Sequence, residues 1–250
     1  MFFKRKKEIV LDCYTVEASP YNYFPIAKAN KFTPEWFKTL KKPTFKKEQF
    51  EEEIKNLKEC YGFTNYFAKG FVLPLWSDLY LEIAPKGSDG VKWQYSDGYS
   101  SMQWHSDEAT NGNFSDLEYQ HLKLVSPWFF VCSEDIEFLA LEPEWYFDKL
   151  DGVHILNGTM DFTVNTATNI NMFAKRTDEV SKLNLMSGTP LYHFIPLTDR
   201  KVILRNHLVS QEKILNLKAL NTRVSFSRHF QKKRKIYSET KCPFKLDAES

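Results

Sequence analysis

Two short stretches hold the residues with the best claim to chemistry: Gln103-Trp104-His105-Ser106-Asp107, a His-x-Asp at the end of a predicted strand, and His193, on a later predicted strand. Two imidazoles and one carboxylate on a single octahedral face hold Fe(II) and leave positions open for oxygen and a co-substrate. His105 and Asp107 would be the first two ligands and His193 the third. Arg200, seven residues beyond His193, would then grip a co-substrate carboxylate through a bidentate contact. The structural alternative for each histidine is a side chain that only satisfies hydrogen bonds within the fold.

Asp161 follows Gly158-Thr159-Met160 in a strand-like stretch that starts at Gly152, and Gly188-Thr189-Pro190-Leu191 comes about 27 residues later. Asp135, Glu137, Glu142 and Glu144 would suit a hard cation, but their alternation with Ile136 and Phe138 reads as a solvated strand face. Trp93, Tyr95, Tyr99 and Trp104, and again Trp145, Tyr146 and Phe147, interleave with polar residues as a base- or sugar-stacking platform would; packing in the core is the plainer reading. The sequence contains no Gly-x-Gly-x-x-Gly, Walker loop or Gly-x-Ser-x-Gly elbow, so dinucleotide, nucleoside triphosphate and α/β-hydrolase chemistry lose their usual signatures.

The elements that must position these groups are mostly strands. Glu8 to Val16 alternates, with Ile9, Leu11 and Cys13 on one face. A short helix is predicted after Thr33-Pro34, with Thr33 as N-cap and Trp36, Phe37 and Leu40 on its apolar side. Phe50, Ile54 and Leu57 predict a second helix over 47–61, ended by Gly62. Phe71 to Glu82 is a buried run that turns to alternation, with Pro74 at an edge or bulge, and the turn Lys86 to Gly90 leads into Val91 to Tyr95. Further strands are predicted over 99–105, 122–130, 136–141, 153–156, 160–164, 170–174, 183–186 and 191–195. Strands at this spacing imply a mainly β fold, a jelly-roll-like β-sandwich with short N-terminal helices. From Ser210 to about Ile236, Ile214, Leu217, Val224, Phe226 and Phe230 keep helical spacing and predict a basic C-terminal helical segment. The expected division is a β-sandwich domain over 1–206 with a helical insert at about 33–61, and a helical extension over 207–250.

With 42% hydrophobic residues in 250, and 21 Phe against 9 Gly, the chain can bury a full core and is not of disordered composition. A net charge of +2 gives no global field for nucleic acid. Positive charge does gather at Lys4, Arg5, Lys6 and Lys7 and at Arg228, Lys232, Lys233, Arg234 and Lys235, where contact with nucleic acid competes with a plain solvated face. Cys13, Cys60, Cys132 and Cys242 form no Cys-x-x-Cys pair, so a zinc knuckle or thioredoxin-type site is not indicated and reduced thiols are expected. No apolar run approaches the roughly 20 residues of a membrane span, and the expected location is the cytosol, or a particle assembled there.

Three resemblances follow from these residues. The order His105-x-Asp107, His193, Arg200 resembles Fe(II)/2-oxoglutarate-dependent oxygenases, which implies a double-stranded β-helix with Fe(II) and 2-oxoglutarate as cofactors. The Asp161 strand and the later Gly188 strand resemble the dUTPase-like fold, which would make Asp161 a water-activating or sugar-reading carboxylate at a trimer junction, although His193 stands where that fold has Gln. Pro74-Leu75-Trp76-Ser77-Asp78-Leu79, Ser126-Pro127-Trp128, Gly158-Thr159-Met160-Asp161 and Gly188-Thr189-Pro190 followed by Ile195-Pro196-Leu197 together resemble a family of uncharacterised proteins encoded by tailed bacteriophages and marine metagenomes. This last resemblance covers most of the chain and implies no cofactor and no catalytic residues. Its expectation is a non-enzymatic structural or binding protein in virion assembly or in contact with a host or phage component. Such a protein would have a protein partner, self-association into a homo-oligomer included, and would sit in the host cytoplasm or the virion.

Overall fold

Of the fifteen short strands in the described residues, fourteen place side chains in or against one apolar core, and the alternation of their side chains decides which faces meet there. The computed structural model describes residues 8–41, 57–88, 90–104, 118–146, 149–163 and 167–221. The fold is mainly β, with several sheets packed in a sandwich-like arrangement.

One sheet has the order β15 (Val202–Leu208), β1 (Ile9–Thr15), β8 (Phe129–Cys132). In β1 the residues Ile9, Leu11 and Cys13 are buried and those between them are half-buried, as the period of two requires. A second sheet runs β11 (Gly158–Asp161), β9 (Glu137–Leu141), β14 (Pro190–Pro196), β3 (Phe71–Pro74), β2 (Ala27–Lys28). A third runs β10 (Val153–Ile155), β12 (Ile170–Lys175), β7 (Tyr119–Val125), β6 (Ser101–Trp104), and a fourth β13 (Ser181–Leu185), β4 (Leu79–Ile83), β5 (Val91–Tyr95). Leu11, Phe194, Leu122 and Leu81, one from each sheet, belong to the same buried cluster. Phe162 is at its centre, stacked on Phe130 with ring centroids 4.7 Å apart and edge-on to Phe194 at 5.5 Å.

All strand pairs are antiparallel except β1 with β15, which run parallel in register from Ile9↔Val202 to Thr15↔Leu208. The sequence pattern does not mark β15, because Arg205, Asn206 and His207 interrupt its alternation; the strand also carries the sheet two residues past the expected limit at 206. Pro74 pairs with Pro190 where the register of β3 and β14 shifts, which places it at a β-irregularity as its missing N–H demands. The single strand expected over 122–130 is two. Pro127 has no N–H to donate, and the Ser126 hydroxyl accepts from the Trp128 N–H at 3.1 Å, so the chain turns and β8 enters a different sheet from β7.

The helices are few and short. α1 (Ala18–Tyr23) follows β1, and α2 (Glu35–Thr39) begins with Pro34, not Thr33, at the N-cap; the Thr33 hydroxyl donates to the Asn30 carbonyl at 2.9 Å instead. Most of the helix expected over 47–61 lies outside the described residues. A 3-10 turn at Leu57–Glu59 and the extended backbone of Cys60 precede α3 (Tyr61–Ala68), so Gly62 is in the first turn of a helix and does not end one. Phe37, Phe63, Phe67 and Trp145 join α2 and α3 into an aromatic layer with ring centroids 4.9 to 5.4 Å apart. α4 (Gln211–Asn221) lays the buried Ile214 and Leu217 on Phe129. Among the described residues no helix is long and apolar enough to cross a membrane.

Candidate functional site

His193 lies inward on β14 and is 0% exposed. Its Nε2–H donates to the Lys69 carbonyl at 2.6 Å, and its ring stands edge-on to Tyr66 (4.8 Å) and Trp145 (5.2 Å). Burial holds its pKa below the ordinary imidazole value, against a smaller upward effect of the Lys69 carbonyl. Nδ1, left as an acceptor, has no hydrogen-bond partner. His105 and Asp107 lie outside the described residues, and among the described residues no three His, Cys, Asp or Glu side chains converge to hold a metal ion. Arg200 forms a two-point ion pair with Glu134, one contact of which, Nη2 to Oε1, measures 2.8 Å.

Asp161 accepts from the backbone N–H of Thr163 at 2.9 Å and from the Thr163 hydroxyl, and so ends β11 with an Asx turn. Asp135 and Glu137 are exposed beside half-buried Ile136 and buried Phe138. Glu142 is held above the ordinary carboxylate range by burial, offset in part by His154. Of the interleaved aromatics, Tyr95 is buried with Trp76, while Trp93 and Trp104 are 39% and 40% exposed on two edge strands. Trp145 is core and Tyr146 packs on it; Phe147 and the basic residues 228 and 232–235 lie outside the described residues.

A cleft lies elsewhere among the described residues, and no sequence motif marks it. It encloses about 490 Å³ where the end of β1, the β7–β8 corner and the start of α4 meet, a volume within the range of about 300–1,000 Å³ usual for small-molecule sites. Its apolar wall is Val16, Val125, Pro127, Phe129 and Ile214. Its polar groups are Glu17, Tyr99, Ser101, Asn169 and Gln211.

Local chemistry fixes Glu17 and Tyr99. The Glu17 N–H donates to the Thr15 hydroxyl at 3.1 Å and its carbonyl accepts from Tyr21 at 3.3 Å, which sets the start of α1. Tyr99 sits on a turn built by Asp97, whose Oδ1 accepts the N–H groups of Tyr99 (3.1 Å) and Ser100 (3.0 Å). That turn is tied to the core, because the Ser100 hydroxyl donates to Asp97 and accepts from Trp76 Nε1 at 3.0 Å, and the Ser77 hydroxyl accepts from the Asp97 N–H at 3.2 Å. Partial burial first, then the nearby Glu17 and Asp97 charges, raise the Tyr99 phenol above its ordinary pKa.

The arrangement is a water-accessible cleft with one carboxylate, one phenol and several neutral hydrogen-bonding groups over an apolar wall. It can bind and orient a small group. Among the described lining residues there is no paired nucleophile and base of the kind nucleophilic catalysis uses. No protein-family model matches this chain, and no curated protein matches it.

Proposed function

We propose that this chain is a non-enzymatic binding or structural protein of a tailed bacteriophage, acting in virion assembly or in contact with a host or phage component. The observation that carries the reading is what the reactive-looking side chains do: His193 holds the Lys69 carbonyl inside an aromatic cage, Arg200 holds Glu134, and Asp161 closes a turn on Thr163. What the described surface offers instead is a cleft suited to holding a group. The phage assignment rests on the ordered resemblance from Pro74 to Leu197, and fold alone names no function. Mass spectrometry of purified virions from an infection with the encoding phage tests it. Peptides from this chain at a constant copy number per particle are expected; their absence from particles and from any pulled-down phage or host complex overturns the reading.

One observation favours a second reading, an Fe(II)/2-oxoglutarate oxygenase. A metal-bound imidazole commonly donates its other N–H to a backbone carbonyl, and His193 does so with Nδ1 left free of partners. The fit stops there, because that nitrogen is enclosed beside Tyr66 and Trp145 and His193 belongs to no group of three described ligand side chains. Anaerobic calorimetry with Fe(II), on the whole chain and on His105→Ala and Asp107→Ala, separates the two readings. Tight binding lost in both variants puts the oxygenase reading first; no binding by folded protein removes it. A dUTPase-like enzyme would require Asp161 to leave Thr163 for a ligand at a trimer junction, which sedimentation and dUTP hydrolysis test directly.

A further inference from the structure

We propose that the cleft between the Asp97 turn and the start of α4 binds a primary alkylammonium group, with Glu17 as its counter-ion. The inference rests on the reading of this chain as a binding protein and supplies the chemical class of what it binds.

Glu17 carries the argument. Its main chain is committed to Thr15 and Tyr21, and its half-buried side chain lines the cleft with Tyr99. A carboxylate offers about four lone-pair sites, enough to accept from an –NH3+ with its three donors. No Lys, Arg or His stands among the described lining residues, so nothing there neutralises the carboxylate. A phosphate or dicarboxylate drawn to the N–H groups at the start of α4 would meet the Glu17 charge in the same cleft.

The rest of the cleft suits what carries an ammonium. Val125, Pro127, Phe129 and Ile214 form an apolar wall along which methylenes can lie. Tyr99, 53% exposed, presents a ring beside the carboxylate that can add a cation–π contact. Asn169 and Gln211 are neutral and can hydrogen-bond at the far end without opposing charge. The shared chemistry is an alkylammonium on a stem of a few methylenes, supplied by a free diamine or by a lysine side chain of a protein partner.

The test uses the full chain, 15N-labelled, titrated with putrescine, with Nα-acetyl-lysine methylamide, with neutral 1,4-butanediol and with succinate, by calorimetry and amide shifts. Binding of an amine is expected, with shifts at Tyr99 and Gln211, weakened at least tenfold in Glu17→Gln and undetectable for the diol and succinate. Tighter binding of putrescine points to a free diamine; equal or tighter binding of the lysine mimic points to a partner's side chain. The proposal is overturned if folded protein binds neither amine, if Glu17→Gln leaves affinity unchanged, or if the diol binds as well as the amines. Conversion of a bound amine to product would sink the non-enzymatic reading while leaving the cleft assignment standing.

Discussion

The Nε2 atom of His193 lies 2.6 Å from the carbonyl oxygen of Lys69, so a fully buried imidazole in β14 fastens the residue that follows α3. Its sides are closed by Tyr66 of α3 and by Trp145, and burial, with a smaller contribution from the Glu144 charge, pushes the Tyr66 phenol up to about 12.

A histidine whose folded pKa is lowered contributes stability that is fully present above its unfolded value of about 6.5 and is lost as pH falls through that value toward the folded one. Stability of the wild type should therefore fall below pH 6.5 with an extra slope of at most about 1.4 kcal/mol per pH unit. Urea titrations between pH 7.5 and 5 on wild type and His193→Gln would show it as a difference in slope. Equal slopes would mean that His193 titrates normally in the folded protein.

Gly70 and Gly188 both have positive φ, +76° and +84°, but their surroundings differ. A Cβ at Gly70 would come 2.0 Å from the Phe194 carbonyl oxygen, whereas one at Gly188 would meet only the Phe24 ring at 3.6 Å. Gly188→Ala should cost about 1–2 kcal/mol, the left-handed penalty alone. Gly70→Ala should cost clearly more, because the strand beside it must move. Chemical denaturation of the pair checks the ranking.

Phe162 is 0% exposed among Phe130, Phe138 and Phe194. Phe162→Ala should destabilise by about 3–5 kcal/mol, while Tyr80→Ala, on the solvated face of β4, should stay within about 0.5 kcal/mol. Comparable losses from the two would place the core elsewhere.

Cys60 is exposed, and Cys13 and Cys132 are buried. Burial is the main reason the Cys13 thiol stays well above its ordinary pKa, with smaller contributions from Asp12 and Cys132; burial likewise raises Cys132 to about 11. Thiolate is the reacting form, so a brief pulse of iodoacetamide at pH 8 should label Cys60 and spare Cys13 and Cys132 until urea is added. Peptide mapping reads the order.

The strands with clean alternation could be read directly from sequence: Ile9, Leu11 and Cys13 in β1, and Leu79 and Leu81 in β4, all face the core. Pro74 could be placed because a missing donor has few homes in a sheet. β15 could not, since its polar residues find partners that no local pattern encodes: His207 contacts Asp12 at 2.7 Å and stacks on Tyr14, and the Asn206 amide donates to the Ile26 carbonyl at 2.8 Å. Helix α3 was missed, because Gly62, read as the end of a helix, stands in its first turn. The cleft was the least legible feature. Glu17, Tyr99, Pro127, Asn169 and Gln211 come from five separate stretches, and only strand pairing across the whole chain brings them together; the Asp97-Gly98 turn that aims Tyr99 was the one local clue.

The parallel pairing of β1 with β15 joins residues 193 positions apart, from Ile9 to Val202, and so ties the timing of folding to the chain's late portion. During synthesis β1 can pair early with β8, but its other side stays open until residue 208 has cleared the ribosome. Contacts this distant in sequence slow folding, because the long loop must close before the pairing can stabilise it. Nascent chains arrested before β15 emerges should accordingly remain protease-sensitive around residues 9–15 and become resistant only once Leu208 is free, with chaperones holding that open edge in the interval.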